Sequence, residues 1–198
     1  MCLLNWVLVP LLKLYVREAK GLENITSGPA IIVANHASYI DPVLIRYFVS
    51  WFTGRTPRGI VSREWVEKGT WLRKFIFLTI LRQIPTNGSV EKALEALTAG
   101  ESLLLFPEGG RSPDGKLQKT THTGLGVIAS ATNLPVIPVG IKGSFEWWPR
   151  QKTLPRIFRF KCMTIKAGKP LFYSGRKDKK GWLAFQEKVM KQVARLMK

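Results

Sequence analysis

The sequence predicts an α/β fold: a single domain with a largely parallel central sheet flanked by helices, preceded by an N-terminal apolar helix. Two observations predict it. Short apolar, β-branched runs such as Ala30-Ile31-Ile32-Val33-Ala34 and Pro135-Val136-Ile137-Pro138-Val139 read as buried strands. Stretches with helical spacing lie between such runs, and strands alternating with helices indicate crossover connections and parallel pairing. The 198 residues, 45% of them hydrophobic, suit one folded domain with one core.

The elements follow in order. Met1 to Val16 is strongly apolar, with Trp6 and Tyr15 as interface-preferring aromatics. A membrane span needs about 20 apolar residues, and Pro10 and Lys13 interrupt this segment. It therefore reads as a helix lying in or dipping into one leaflet, kinked near Pro10, or as a helix packed on the domain's own core. Residues 1–20 are assigned to this membrane-associating helix and residues 21–198 to the globular domain. No basic residue precedes the apolar run and no small-residue cleavage site follows it, which argues against a signal peptide.

Pro29 to Ala34 is the first buried strand, ending at Asn35-His36. A helix follows over about Tyr39 to Phe52, opened by Ser38 as its cap. Arg58 to Ser62 suggests a strand, Trp71 to Leu81 a helix, and Ile84-Pro85 a short extended piece. Val90 to Thr98 places Ala93, Leu94 and Leu97 on one helical side, and Gly100 ends that helix. Glu101 to Phe106 is a buried strand stopped by Pro107. Gly124 to Thr132 is a small-residue helix, and Leu134 to Ile141 another buried strand. Arg156 to Ala167 alternates basic and apolar residues, the pattern of a strand with one wet face. A helix over Lys179 to Met197 closes the chain.

The charge is lopsided, 31 Lys plus Arg against 13 Asp plus Glu, or +18. Such an excess attracts polyanions, either nucleic acid or an anionic lipid surface. A nucleic-acid-binding module would carry a groove reader or stacking platform. No zinc-finger spacing, RNA-recognition aromatic block or basic zipper is present, so no specific nucleic-acid partner is expected. The two cysteines, Cys2 and Cys162, have neither metal-ligand spacing nor a disulfide framework, which fits a reducing compartment.

Two constellations carry chemistry. His36 and Asp41 are separated by four residues across a strand-to-helix turn. The turn can fold Asp41 back so that its carboxylate receives the imidazole Nδ1–H, leaving Nε2 as a base. Asp41 standing three residues after Ser38 also matches a helix capping box, which needs no catalysis. The second constellation is Phe106-Pro107-Glu108-Gly109-Gly110-Arg111-Ser112. Gly109 and Gly110 permit a tight turn and close approach of a ligand. Arg111 offers a fork of donors suited to a phosphate, and Glu108 can accept from a hydroxyl or orient Arg111. A surface turn with a solvated Arg–Glu pair is the alternative. Both constellations follow strand ends, where sites in parallel sheets form.

Taken together, Asn35-His36-Ala37-Ser38-Tyr39-Ile40-Asp41 resembles the first block of the glycerolipid acyltransferases, asparagine-histidine-any-serine-any-any-aspartate. Phe106 to Ser112 resembles that family's phenylalanine-proline-glutamate-glycine-threonine-arginine-serine block, and Val136-Ile137-Pro138-Val139 its later apolar proline block. The resemblance runs from about Gly28 to Gly143 and is nearest to the 1-acylglycerol-3-phosphate acyltransferases. It implies an α/β domain on the cytoplasmic face of a membrane, with acyl-CoA or acyl-carrier protein as donor and a lysophospholipid as acceptor. His36 would correspond to the family's base and Asp41 to its orienting acid. Glu108, Gly109, Gly110 and Arg111 would fall on its acceptor-binding block. No metal or prosthetic group is implied.

The chain departs from the family at three points. Gly110 stands where threonine is usual. Ile84-Pro85-Thr86-Asn87-Gly88 lacks the arginine often found there, and Thr123-Gly124, with His122 just before, replaces a common Lys-Gly pair. The departures bear on a phosphate-bearing acceptor more than on acyl transfer. They keep open a different lysolipid or a glycolipid as acceptor, and, in another class, a non-catalytic lipid-binding module.

Overall fold

The computed structural model describes residues 11–61, 71, 83–85, 89–120 and 122–198. Its centre is a seven-stranded sheet: β1 (Val16–Lys20), β2 (Ile31–Ala34), β3 (Arg58–Val61), β4 (Ile84–Pro85), β5 (Leu103–Leu105), β6 (Val136–Lys142) and β7 (Met163–Ala167). The spatial order is β1-β7-β6-β2-β5-β3-β4. The five strands from β6 to β4 run parallel to their neighbours. β7 lies antiparallel to β6, and β1 is parallel to β7. The sheet is thus largely parallel, as the alternation of strands and helices predicts.

Among the described residues, helices α1 (Asp41–Thr53), α2 (Ser89–Thr98), α3 (Gly124–Thr132), the short α4 (Ser144–Trp147) and α5 (Lys179–Leu196) pack on it. The strand period of two sorts the core into two layers. Ile32, Ala34, Leu104, Ile137 and Val139 point to the side that α1 covers with Leu44, Ile45 and Phe48. Ile31, Val33, Leu103, Leu105 and Val136 point to the side covered by α2, α3 and α5. β2 is buried along its whole length, because it lies between two strands and under two helical layers. α5 crosses β6 and α3 closely. A Cβ on Gly140 would lie 2.7 Å from the Leu196 carbonyl carbon, and one on Gly126 would lie 2.5 Å from the Trp182 carbonyl oxygen. Only glycine admits that approach.

Four readings from the sequence change. The sheet begins at Val16, so residues 16–20 belong to the globular domain and not to the N-terminal helix; helical conformation ends at residue 15. Val-Arg-Glu-Ala-Lys has a single buried residue, Val16, which leaves almost no period to read. Pairing with β7 makes it a strand, and its charges suit an edge. Arg156 to Ala167 is a strand only from Met163. Its first half alternates correctly but has no strand beside it among the described residues, and residues 157–161 run as successive turns. Ser38 does not cap α1. The N-cap position is Ile40, without a side-chain hydrogen bond, and the Ser38 hydroxyl donates to Trp148 O at 2.8 Å. Glu108 and Arg111 do not form the ion pair that their spacing allows, because both Glu108 oxygens accept from backbone.

Of the helix expected over Trp71 to Leu81, only Trp71 is described; Arg82 and Thr86-Asn87-Gly88 also lie outside the described residues, as do residues 1–10 of the N-terminal segment. Among the described residues no helix is long and apolar enough to cross a membrane.

Candidate active site

β2 and β5 are adjacent and parallel, so the segments leaving their C-terminal ends emerge side by side. The Asn35 side chain fixes the first exit. Its Nδ2 donates to Ile141 O at 2.9 Å and its Oδ1 accepts from Ile141 N at 2.8 Å. These two bonds clamp the end of β2 to β6, and Asn35 is buried.

His36 comes next and is held on every side. Its N–H donates to Glu108 Oε1 at 2.6 Å, and its carbonyl accepts from Ser112 N at 2.7 Å. The Phe106 ring stacks on its imidazole, with centroids 4.2 Å apart and planes 25° apart. The second constellation therefore cradles His36 through backbone bonds and an aromatic face. Glu108 Oε2 accepts from Gln118 N at 2.7 Å, which closes the 106–118 segment on itself. Burial pushes the Glu108 carboxyl above the ordinary glutamate range, outweighing the two backbone donors that pull it down.

Asp41 opens α1 and folds back toward the strand end. Its Oδ2 lies 3.1 Å from His36 Nδ1 and accepts from Ala37 N at 2.7 Å and Ser38 N at 2.6 Å. Asp41 is fully buried, while the His36 side chain keeps 17% of its surface exposed. Three donors converge on Oδ2 at the N-terminal end of α1, while Oδ1 is buried without a hydrogen-bond partner among the described residues. An ionised carboxylate only accepts, so the tautomer that fits this contact is the one with the proton on Nδ1, which leaves the lone pair on Nε2. Among the described residues Nε2 has no protein partner. Of the capping-box alternative only one half is formed: Asp41 Oδ2 accepts from Ser38 N, while the Ser38 hydroxyl accepts from Ile40 N at 3.4 Å and not from Asp41 N.

Arg111 crosses from the second constellation to the first. Its guanidinium carbon lies 3.4 Å from the centroid of the Tyr39 ring, a cation–π contact. Its Nη1 is buried and has no hydrogen-bond partner among the described residues. Tyr39 in turn leans on Trp148, with centroids 5.1 Å apart.

The two glycines differ. Gly109 has φ +73° and donates to Phe106 O at 3.1 Å, so the turn needs it. Its neighbour across the turn is the exposed His122 ring, which sits in the loop before α3. Gly110 is exposed, its φ is not positive, and a Cβ there would meet nothing within 4 Å. The backbone would accept the usual threonine.

Sequence reasoning passed over the roles of Asn35, Phe106, Tyr39 and Gln118. Tyr39 lay inside the first block, where an aromatic beside a turn facing an arginine was a readable signal. Asn35 and Phe106 act through partners far along the chain, which no local spacing reveals, whereas Gln118 acts on Glu108, ten positions before it.

The family model described as Acyltransferase matches residues 16–142. The chloroplastic 1-acyl-sn-glycerol-3-phosphate acyltransferase of Brassica napus is 26% identical over 149 residues, 73% of this chain and 42% of that protein. The 1-acyl-sn-glycerol-3-phosphate acyltransferase of Limnanthes alba is 31% identical over 137 residues, 66% of this chain and 47% of that protein. The chain thus spans about half the length, or less, of these curated relatives. The crystal structure of the 1-acyl-sn-glycerophosphate acyltransferase PlsC from Thermotoga maritima superposes with a TM-score of 0.70 at 27% identity, covering 93% of this chain and 73% of that one. With well over half of its residues matched by the family model and both constellations inside the match, this chain belongs to the acyltransferase family.

Proposed function

We propose that this chain moves a fatty acyl group from an acyl thioester, acyl-CoA or acyl-carrier protein, to the hydroxyl of a lysophospholipid. The acceptor proposed is 1-acylglycerol-3-phosphate, which gives phosphatidic acid. The observation that carries the reading is His36 held by the buried Asp41 with Nε2 open, beside an Arg111 guanidinium whose buried Nη1 lacks a partner. The relatives named as 1-acyl-sn-glycerol-3-phosphate acyltransferases support the acceptor.

In the proposed reaction His36 Nε2 takes the proton of the acceptor hydroxyl as that oxygen attacks the thioester carbonyl. Asp41 stabilises the imidazolium that forms. The tetrahedral intermediate collapses, the carbon–sulfur bond breaks, and the imidazolium returns the proton to the leaving thiolate. A C–O bond replaces a C–S bond, and no acyl-enzyme is needed. Arg111, braced on Tyr39, holds the acceptor's phosphate. Glu108 sets the height of the His36 backbone and supports catalysis from behind. The reaction takes place at an anionic membrane surface, on the cytoplasmic face; the +18 charge and the exposed apolar residues Leu11 and Leu14 support this.

A second acceptor, a lysolipid or glycolipid without that phosphate, is favoured by the missing arginine between Ile84 and Gly88. Thiol release from a long-chain acyl-CoA, measured with and without lysophosphatidate, separates the two readings. Release that requires lysophosphatidate and is lost in His36→Ala supports the first. Release that requires His36 but proceeds only with another lysolipid supports the second. Release that persists in His36→Ala removes the mechanism.

A further inference from the structure

The segment between α4 and β7 is shaped unlike the rest of the surface. Trp148 to Cys162 carries Arg150, Lys152, Arg156, Arg159 and Lys161 and no acidic residue. Its apolar side chains face outward: Phe158 is 84% exposed, Leu154 76%, Phe160 54% and Ile157 51%. Each of the four thus keeps half or more of its surface exposed. Large apolar groups interleaved with cations fit one environment well, the headgroup region of an anionic bilayer, where the rings enter the acyl boundary and the cations meet phosphates.

The segment is also joined to two other exposed apolar groups. Lys161 N donates to Leu14 O at 3.0 Å, and Tyr15 stacks on Phe160 with centroids 5.4 Å apart. The Lys13 ammonium lies 4.7 Å from the Trp51 ring centroid. Leu11, Leu14, Trp51 and Phe52, each about half exposed, thus belong to elements in contact with this loop or with its neighbour. At its root the loop is bolted to both halves of the site. Ser38 Oγ donates to Trp148 O at 2.8 Å, Arg150 Nη1 donates to Arg111 O at 3.0 Å, and Gln151 Nε2 donates to Pro113 O at 2.6 Å.

We infer that residues 154–161 form a membrane-docking loop that inserts Leu154, Ile157 and Phe158 into an anionic bilayer and so sets the height of His36 and Arg111 above the lipid. The contact is additional to the N-terminal helix. The inference extends the membrane reading above, yet it is tested by binding without turnover, so a chain that binds through this loop and transfers nothing would refute the reaction alone.

The test uses the full chain with phosphatidylcholine vesicles, with or without added phosphatidylglycerol. Leu154→Ser combined with Phe158→Ser changes two exposed side chains and should leave the circular dichroism spectrum and melting temperature unchanged. Partition onto the anionic vesicles should fall about tenfold or more. Lys152→Gln with Arg156→Gln should instead flatten the dependence on phosphatidylglycerol and on salt. Turnover of a short-chain, monomeric acceptor should be unaffected by either pair. Wild-type partition of the folded Ser pair would overturn the inference. So would loss of binding to a DNA duplex, but not to vesicles, in the Lys-Arg pair.

Discussion

Glu108 Oε1 and the backbone N–H of His36 lie 2.6 Å apart, although 72 positions separate the residues in the chain. The bond ties the turn after β5 to the turn after β2 and makes the two constellations one object. A carboxylate in that place serves the protein's own backbone, and its other oxygen is taken by Gln118 N.

Replacing Glu108 by Gln leaves one of those two N–H groups facing an amide NH2. The expected loss of stability is about 1–3 kcal/mol, read by urea denaturation. Turnover should fall with it, since the His36 backbone loosens, while a Glu108→Asp variant should recover part of neither bond.

The same carboxyl predicts a pH dependence. Its folded-state pKa is raised above the ordinary 4.5 by burial. Between the ordinary value and the raised one the folded chain therefore holds more proton than the unfolded chain. Glu108's contribution is full below about 4.5 and is lost as the pH rises through its folded pKa. Urea midpoints of wild type minus those of Glu108→Gln should decline across that window; a difference that is flat or rises would contradict the burial argument.

Asp41→Asn should retain the fold better than Asp41→Ala, because an amide oxygen still accepts from part of the turn. It should nonetheless lower kcat by about 10²–10⁴-fold, the usual worth of a correctly held base. KM for the acyl donor should change little. Wild-type turnover in the folded variant would remove Asp41 from the mechanism.

Arg111 rests on Tyr39, so the two should show up in the same constant. Arg111→Lys is expected to raise KM for a phosphate-bearing acceptor about tenfold or more, since it loses the planar fork. Tyr39→Leu removes a contact of about 0.5–1 kcal/mol, enough for a two- to fivefold rise. Steady-state kinetics with varied acceptor checks both, and the double variant should be less than additive.

Gly109→Ala forces a side chain to φ +73° and should cost about 1 kcal/mol or more. Gly110→Thr meets open space and should leave the melting temperature unchanged. If the threonine improves acceptor KM, the departure at Gly110 weakens phosphate binding in this chain.

Much of this protein was legible residue by residue. Ile31-Ile32-Val33-Ala34 is short, β-branched and without a polar position, the pattern of a strand buried on both faces. The small residues of α3 and the spacing of α2 declare helices by themselves, and His36 with Asp41 is a local pair whose five-residue step a single turn can close. Those features depend on neighbours within a few residues, which is the range over which pattern and backbone geometry act. Tertiary structure decided the remainder. Val16–Lys20 is a strand only because β7 offers it hydrogen bonds, and Arg156–Lys161, with no strand beside it among the described residues, is not one. Glu108 turned from a possible partner of Arg111 into the bracket of His36, and Arg111 settled on Tyr39, because β2 and β5 are adjacent and parallel. Sheet order is written in contacts between residues 22 to 147 positions apart, and no spacing within either segment encodes them.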